Sequence, residues 1–294
     1  MQSRFLDPAG LARVGNMPLV AKQVVEGFLT GRHRSPYHGF SVEFLDHRAY
    51  TPGDDLRGMD WKIVARTNKY YVKLFEDETN LRAYILLDCS RSMAFNSGEV
   101  DKLTYGGQLA AALAYMLLRQ NDAVGLVTFD TGIRDFIPAK AHPSQFRRIV
   151  SSLDGMEPGG ETDVGVVLHD VAERIKRRSL VIVISDMLDD ESRLADGLQH
   201  FRHNRHEVLA LQVMDPAELD FPFTRMTRFK DIEGTSRMIA NPKRMRQRYL
   251  ERMQRFITNI KTKCLERRIS YELANTSQPY DRFLAAYLDK RSRM

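Results

Sequence analysis

Cysteine is nearly absent. The 294 residues hold two, Cys89 and Cys264, far apart and without any CxxC or Cys/His ligand spacing. A disulfide framework and a structural zinc are thereby excluded as organisers of the fold. Long apolar runs are missing as well: no stretch approaches the roughly 20 residues that a bilayer-spanning helix needs. The start, Met1-Gln2-Ser3-Arg4-Phe5-Leu6-Asp7-Pro8, lacks the continuous apolar core of a signal peptide. Nor is there a Gly-x-x-x-x-Gly-Lys-Ser/Thr loop for nucleotide phosphates or a Gly-x-Ser-x-Gly elbow for a serine nucleophile. These absences lead us to expect a protein without a membrane span, in a reducing, cytoplasmic setting.

No charge sign is in large excess either. Lys and Arg number 44 against 38 Asp and Glu, a net charge of +6. Such a mixed surface does not by itself select a polyanionic partner. What is present is an ordinary globular composition, 43% hydrophobic and 28% charged. That supports one large core with a smaller attachment.

The larger part reads as an alternation of strands and helices. The run Ala83-Tyr84-Ile85-Leu86-Leu87-Asp88 is apolar until it stops at an acid, as a buried parallel strand does at its carboxyl end. Similar runs cover Ala123 to Phe129, Ser179 to Asp186 and Glu207 to Met214. Helical patterns lie between them, at Leu103 to Arg119, Ser144 to Leu153, Asp163 to Arg177 and Glu191 to Arg202. The fold class expected is therefore α/β, a doubly wound and mostly parallel sheet. Thr131-Gly132 is too short for a crossover, so Ile133 to Ile137 should form one antiparallel edge strand. After Asn241-Pro242 a long basic amphipathic helix runs to about Arg268, and Ile269 to Leu273 reads as a strand, the last helix and strand of the sheet. Residues 1–80, punctuated by Gly31, Pro36, Gly39, Pro52, Gly53 and Gly58, read as an amino-terminal accessory unit on the domain 81–294.

The chemistry concentrates at one edge of that sheet. In an open α/β sheet ligands bind at the carboxyl ends of the strands. Asp88, Ser90 and Ser92 leave the first sheet strand as Asp-x-Ser-x-Ser, and alternate residues of an extended loop point the same way. One carboxylate and two hydroxyls thus face a single point as hard oxygen donors. Thr162, in the turn Gly159-Gly160-Glu161-Thr162-Asp163, and Asp186, at the end of another apolar strand, fall at equivalent places. Together the five could hold a magnesium or manganese ion and leave one coordination position open.

The set Asp88-Cys89-Ser90-Arg91-Ser92, Thr162 and Asp186, on this strand pattern, resembles the metal-ion-dependent adhesion site of von Willebrand factor A domains. The resemblance spans about 81–277. It implies that Ser90, Ser92 and Thr162 touch the metal directly, that Asp88 and Asp186 support it, and that the open position takes an acidic side chain from a partner protein. Glu43-Phe44, Arg48-Ala49-Tyr50-Thr51-Pro52-Gly53-Asp54-Asp55, Arg57, Asp60-Trp61 and Ala65-Arg66 resemble the hallmark of the family catalogued as domain of unknown function fifty-eight. That resemblance implies an adaptor working with a MoxR-type AAA+ ATPase in chaperone-like remodelling, and no enzyme activity. Many members are membrane-anchored, and no anchoring run occurs in this sequence.

Plainer readings and rival functions stand beside these. Cys89 has no histidine partner in sequence and reads as a small buried filler. Trp61 reads as a core anchor between the accessory unit and the sheet. Asp54, Asp55 and Asp60 read as ion-pair partners of Arg48, Arg57 and Arg66, with Asp60-Trp61 also a helix start. The eight histidines form no ligand constellation, although His200 and His203 share a helix face. The basic run after Pro242 reads as a solvated helix face, so nucleic acid is not an expected partner, and steep salt dependence would mark the contrary case. A phosphatase built on Asp88 with magnesium is the enzymatic alternative, but such enzymes need a second acid where Ser90 stands.

Overall fold

The computed structural model describes residues 42–51, 59–67, 69–77, 81–160, 163–230 and 237–292. They fall into two compact units, one within 32–80 and one comprising the rest. Among the described residues no helix is long and apolar enough to cross a membrane.

In the smaller unit, β1 (Val42–Ala49) pairs antiparallel with β2 (Tyr71–Asp77). Between them lies α1 (Trp61–Thr67), and the Asp60 carboxylate caps it by accepting from the Lys62 and Ile63 N–H groups at 3.0 and 3.3 Å. Asp60 is thus a helix start. Arg48 donates to the Thr51 hydroxyl at 3.1 Å. The Asp54, Asp55 and Arg57 positions lie outside the described residues. Trp61 does not anchor a core: it is 61% exposed. The reason is local, because this two-turn helix buries none of its residues.

The larger unit is the expected α/β sheet. It contains β3 (Arg82–Asp88), β4 (Ala123–Phe129), β5 (Ile133–Lys140), β6 (Leu180–Ser185), β7 (Glu207–Met214) and β10 (Ser270–Asn275). Their order across the sheet is β10-β7-β6-β3-β4-β5, all parallel except β5, which runs antiparallel to β4. The chain starts in the middle at β3, winds outward to β5, then returns to the other side of β3 with β6. The winding reverses between β3 and β6, and at such a switch point the connections leave a crevice beyond the strand ends.

Helices cover both faces because the strands are apolar on both. Ala83, Ile85 and Leu87 of β3 enter one core with α2 (Lys102–Arg119), α3 (Pro143–Asp154) and α8 (Tyr280–Ser292). Tyr84 and Leu86 enter the other with α4 (Val164–Arg174), α5 (Glu191–His203) and α7 (Pro242–Glu266). The α4 helix ends at Arg174, three residues before the expected stop, because Ile175 turns extended and buries its side chain. The long basic helix α7 is not the last, since α8 follows β10 and packs Phe283, Leu284, Tyr287 and Leu288 onto the sheet. Two smaller elements also lie outside the sequence reading. They are the single turn α6 (Pro216–Asp220) and the hairpin β8 (Thr227–Lys230) with β9 (Arg237–Ala240).

At the entrance to β4, Asp122 is buried, and its Oδ1 accepts the Leu81 N–H at 3.0 Å. Its Oδ2 has no partner among the described residues. Burial, only partly offset by that N–H, raises its pKa from 3.8 to about 7. The folded state therefore holds this proton more tightly than the unfolded chain. The stability it confers is full below about pH 3.8 and is lost progressively as pH climbs from there through about 7. Asp122→Asn keeps the acceptor and removes the charge. In thermal melts the variant should match wild type only below about pH 3.8, exceed it somewhat at pH 5 and exceed it most at pH 8, by about 2–4 °C for each kcal/mol relieved. Parallel melting curves at pH 5 and pH 8 would refute this.

Candidate metal centre

The crevice between β3 and β6 is lined from the sequence upward. The two strands pair in register with Leu87 opposite Ile184, so the next residues, Asp88 and Ser185, lie side by side. The Ser185 hydroxyl donates to Asp88 Oδ2 at 2.7 Å, and the Ser90 N–H donates to Oδ1 at 2.8 Å. Asp88 and Ser90 are fully buried. Past Ser90 the chain folds into a single 3-10 turn, Arg91–Ala94, with Ser90 as its extended N-cap. That turn brings the Ser90 and Ser92 hydroxyl oxygens to 3.0 Å from each other.

A second loop fastens this one. The Gly159 N–H donates to the Cys89 carbonyl at 2.7 Å, and the Arg91 N–H to the Gly160 carbonyl at 3.2 Å. Arg134 donates to Asp130 Oδ2 at 2.7 Å and to the Glu157 carbonyl at 2.6 Å, bracing the same loop from β5. At Gly159 a Cβ would stand 1.6 Å from Arg134 Nη2 and 2.2 Å from Asp130 Oδ2, so a larger residue would have to displace that ion pair. Thr162, two residues beyond the stitched Gly160, lies outside the described residues. The helix after it, α4, is capped by Asp163, whose carboxylate accepts the Val166 N–H at 3.3 Å.

Asp186 follows Ser185 and is 2% exposed. Its Oδ1 accepts the Leu188 N–H at 3.2 Å, and its Oδ2 accepts Lys102 Nζ at 2.8 Å. Met187 between them takes a left-handed conformation, φ 58°, held by its N–H on the Ser185 hydroxyl at 2.9 Å. A non-glycine residue there costs on the order of 1 kcal/mol, and the Asp186 carboxylate beside it is held by Leu188 N–H and Lys102. Lys102, wholly buried, also reaches Glu218 at 2.7 Å. Glu218 in turn accepts the Asp215 N–H at 2.9 Å in the capping box of α6. Asp215 accepts the Ser97 N–H at 2.8 Å and the Ser97 hydroxyl, which ties this chain of bonds back to the loop after β3.

The electrostatics follow from two carboxylates sharing a dry crevice. Burial first, and then the charge of Asp186, raise the Asp88 pKa to about 7, although the Ser185 and Ser90 hydrogen bonds pull the other way. For Lys102 burial disfavours the charge, but Asp186 and Glu218 outweigh it and hold the ammonium above its ordinary value. Burial raises Glu218, and Lys102 partly offsets it. Cys89 is closed off: its sulfur lies 3.3 Å from the Met156 sulfur, and burial pushes its thiol up to about 12. It is the buried filler expected, with no thiolate to act as nucleophile.

Of the five residues singled out in the sequence, the structure brings together Asp88, Ser90, Ser92 and Asp186. No three His, Cys, Asp or Glu side chains converge among the described residues, so this donor set is carboxylates plus hydroxyls. Those residues fit a hard divalent ion. Neighbouring oxygens around an octahedral ion with bonds of about 2.1 Å lie about 3.0 Å apart, which matches the Ser90 to Ser92 separation of 3.0 Å. Lys102 was absent from the sequence reading. Its one signal is a cation at the first position of a largely apolar helix, where the helix dipole opposes it.

Removing that cation leaves Asp186 and Glu218 buried and unpaired. Lys102→Met should therefore lose about 3–5 kcal/mol of unfolding free energy at neutral pH, read from urea denaturation. A loss under about 1 kcal/mol would show that the triad carries no such weight.

Among solved structures, the chain is similar to the conserved hypothetical protein BatB of Bacteroides thetaiotaomicron, at 16% identity and a TM-score of 0.49 over 73% of this chain and 100% of that one. It is similar as well to an aerotolerance-related membrane protein of Bacteroides fragilis, at 16% identity and a TM-score of 0.48 over 71% and 99% of the two chains. Uncharacterised proteins of Mycobacterium bovis and Mycobacterium tuberculosis are 27% identical over 221 residues, 74% of this chain and 68% of theirs. The model of the protein of unknown function DUF58 family matches residues 46–257, and the chain belongs to that family.

Proposed function

We propose that the chain is a metal-dependent protein-binding adaptor and that its partner is a MoxR-type AAA+ ATPase. The observation that carries this reading is the paired Ser90 and Ser92 hydroxyls, 3.0 Å apart and backed by two buried carboxylates at the switch point of the sheet. Ser90, Ser92 and Thr162 would hold magnesium or manganese, with Asp88 and Asp186 supporting it. The bound ion supplies an open position for a carboxylate from the partner. Asp88 contributes negative charge and, through the Ser90 N–H, the shape of the loop. Asp186, kept in place by Lys102, adds the second charge.

The phosphatase alternative draws less support. A nucleophilic carboxylate needs an accessible, ionised oxygen. Asp88 is fully buried with both oxygens hydrogen-bonded, so neither is open to attack a substrate. Nucleic-acid binding through α7 remains separable by its steep salt dependence.

Magnesium or manganese should raise the melting temperature of the wild-type chain, by about 2.7 kcal/mol of linkage when the free ion is about a hundred times its Kd. The same addition should leave Ser90→Ala and Asp88→Ala unmoved. Wild-type melting indifferent to either ion, or equal stabilisation of both variants, would reject the site. Thr162→Ala should fold normally yet fail to retain the ATPase in a magnesium-containing pull-down. Full retention by that variant would reject the adaptor role.

A further inference from the structure

On the face of the sheet covered by α4 and α5, the two helices touch through glycines. A Cβ on Gly197 would lie 2.9 Å from the Gly165 carbonyl oxygen and 3.0 Å from Leu168 Cβ, and one on Gly165 would lie 2.9 Å from Arg193 Cβ. With no side chain between them, the backbones approach closely. One turn further along, four residues after Gly165 and three after Gly197, stand His169 and His200. Their Nδ1 atoms are 2.9 Å apart, and their ring centroids are separated by 5.0 Å with the planes inclined at 46°. His169 is exposed and His200 half-buried, so both are within reach of solutes. The sequence suggested His200 with His203 on one face; the structure pairs it across the helix contact with His169 instead.

We propose that His169 and His200 form a two-nitrogen site for a divalent transition ion of the zinc class, clipping α4 to α5. Imidazole nitrogen suits zinc, copper and nickel and is a poor ligand for magnesium. Zinc–nitrogen bonds of about 2.0–2.1 Å at a tetrahedral angle place two ligand nitrogens about 3.3–3.4 Å apart. The observed 2.9 Å needs an opening of about half an ångström, within the torsional freedom of side chains at the surface. Without metal, one Nδ1 must carry a proton and donate it to the lone pair of the other. When the ion enters, that proton moves to Nε2 of its own ring. Both Nδ1 lone pairs then face the metal, and no net proton is released from the neutral pair. No third His, Cys, Asp or Glu joins them among the described residues, so water completes the coordination and the ion exchanges readily.

The position gives the clip a consequence. The α4 helix begins at Val164 behind its Asp163 cap, α5 follows the loop that carries Asp186, and the Gly165 N–H donates to Asp189 Oδ2 at 3.4 Å across the two starts. The imidazole pair would therefore fasten the two helices whose amino ends border the carboxylate and hydroxyl crevice. It does so with a different class of metal, and it does not rest on the adaptor reading.

The test is calorimetric titration of the full chain with zinc chloride in the presence of excess magnesium. Wild type should bind one equivalent. His169→Ala and His200→Ala should each weaken that binding at least tenfold, while His203→Ala and Ser90→Ala leave it unchanged. Gly197→Ala should weaken it as well, by forcing the helices apart; circular dichroism establishes that each variant is folded. Undiminished zinc binding by folded His169→Ala, binding lost in Ser90→Ala but kept in His169→Ala, or no zinc uptake by wild type would each overturn the proposal.

Discussion

A dry crevice cannot hold two ionised carboxylates within electrostatic reach of each other unless positive charge comes with them. Asp88 and Asp186 meet that condition at the point where the winding of the sheet reverses, and Lys102 is the part of the answer that the chain itself provides. Lys102 pairs with Asp186 and Glu218, and no cation pairs with Asp88 among the described residues, so the acids outnumber the ammonium when all are ionised. That imbalance is what suits the crevice to a cation from solution. It also explains why so many backbone N–H groups and hydroxyls are aimed at these acids: each hydrogen bond stabilises charge without adding any.

The same condition organises the loops. The Asp-x-Ser-x-Ser segment is held by Gly159 and Gly160 on one side and by Asp215 through Ser97 on the other. None of these contacts is apolar. The apolar strands set where the loops begin, and polar bonds to backbone groups then fix their shape. Most buried polar groups in the crevice thus have named partners, as a low-dielectric setting requires.

Much of this architecture was legible before any coordinates. Strands β3, β4, β6 and β7 are predominantly apolar runs without polar alternation, and a sheet covered on both faces makes use of such runs. The short link at Thr131-Gly132 dictated the antiparallel β5. Asp88, Ser90, Ser92 and Asp186 could be read because they stand at strand ends in alternation. Lys102 could not, since its partners lie 84 and 116 residues away and no local pattern announces them. The His169 and His200 pair, 31 residues apart, depends on two glycines letting helices close up, which is a packing fact rather than a motif. Trp61 misled because size usually predicts burial, whereas a two-turn helix offered it no cover. The α8 helix does carry helical spacing at Phe283, Leu284, Tyr287 and Leu288, but a strand closing the sheet looked like an end.

The β5 strand closes one side of the sheet, and its residue types bear on solubility during folding. Arg134, Asp135, Pro138 and Lys140 are all exposed on it. Proline has no N–H to offer a docking strand, and charged side chains must be stripped of water before another chain could lie alongside. A newly made molecule with this border is thereby guarded against growing into cross-linked strands with its neighbours, at no expense to the opposite side of β4, where the crevice lies.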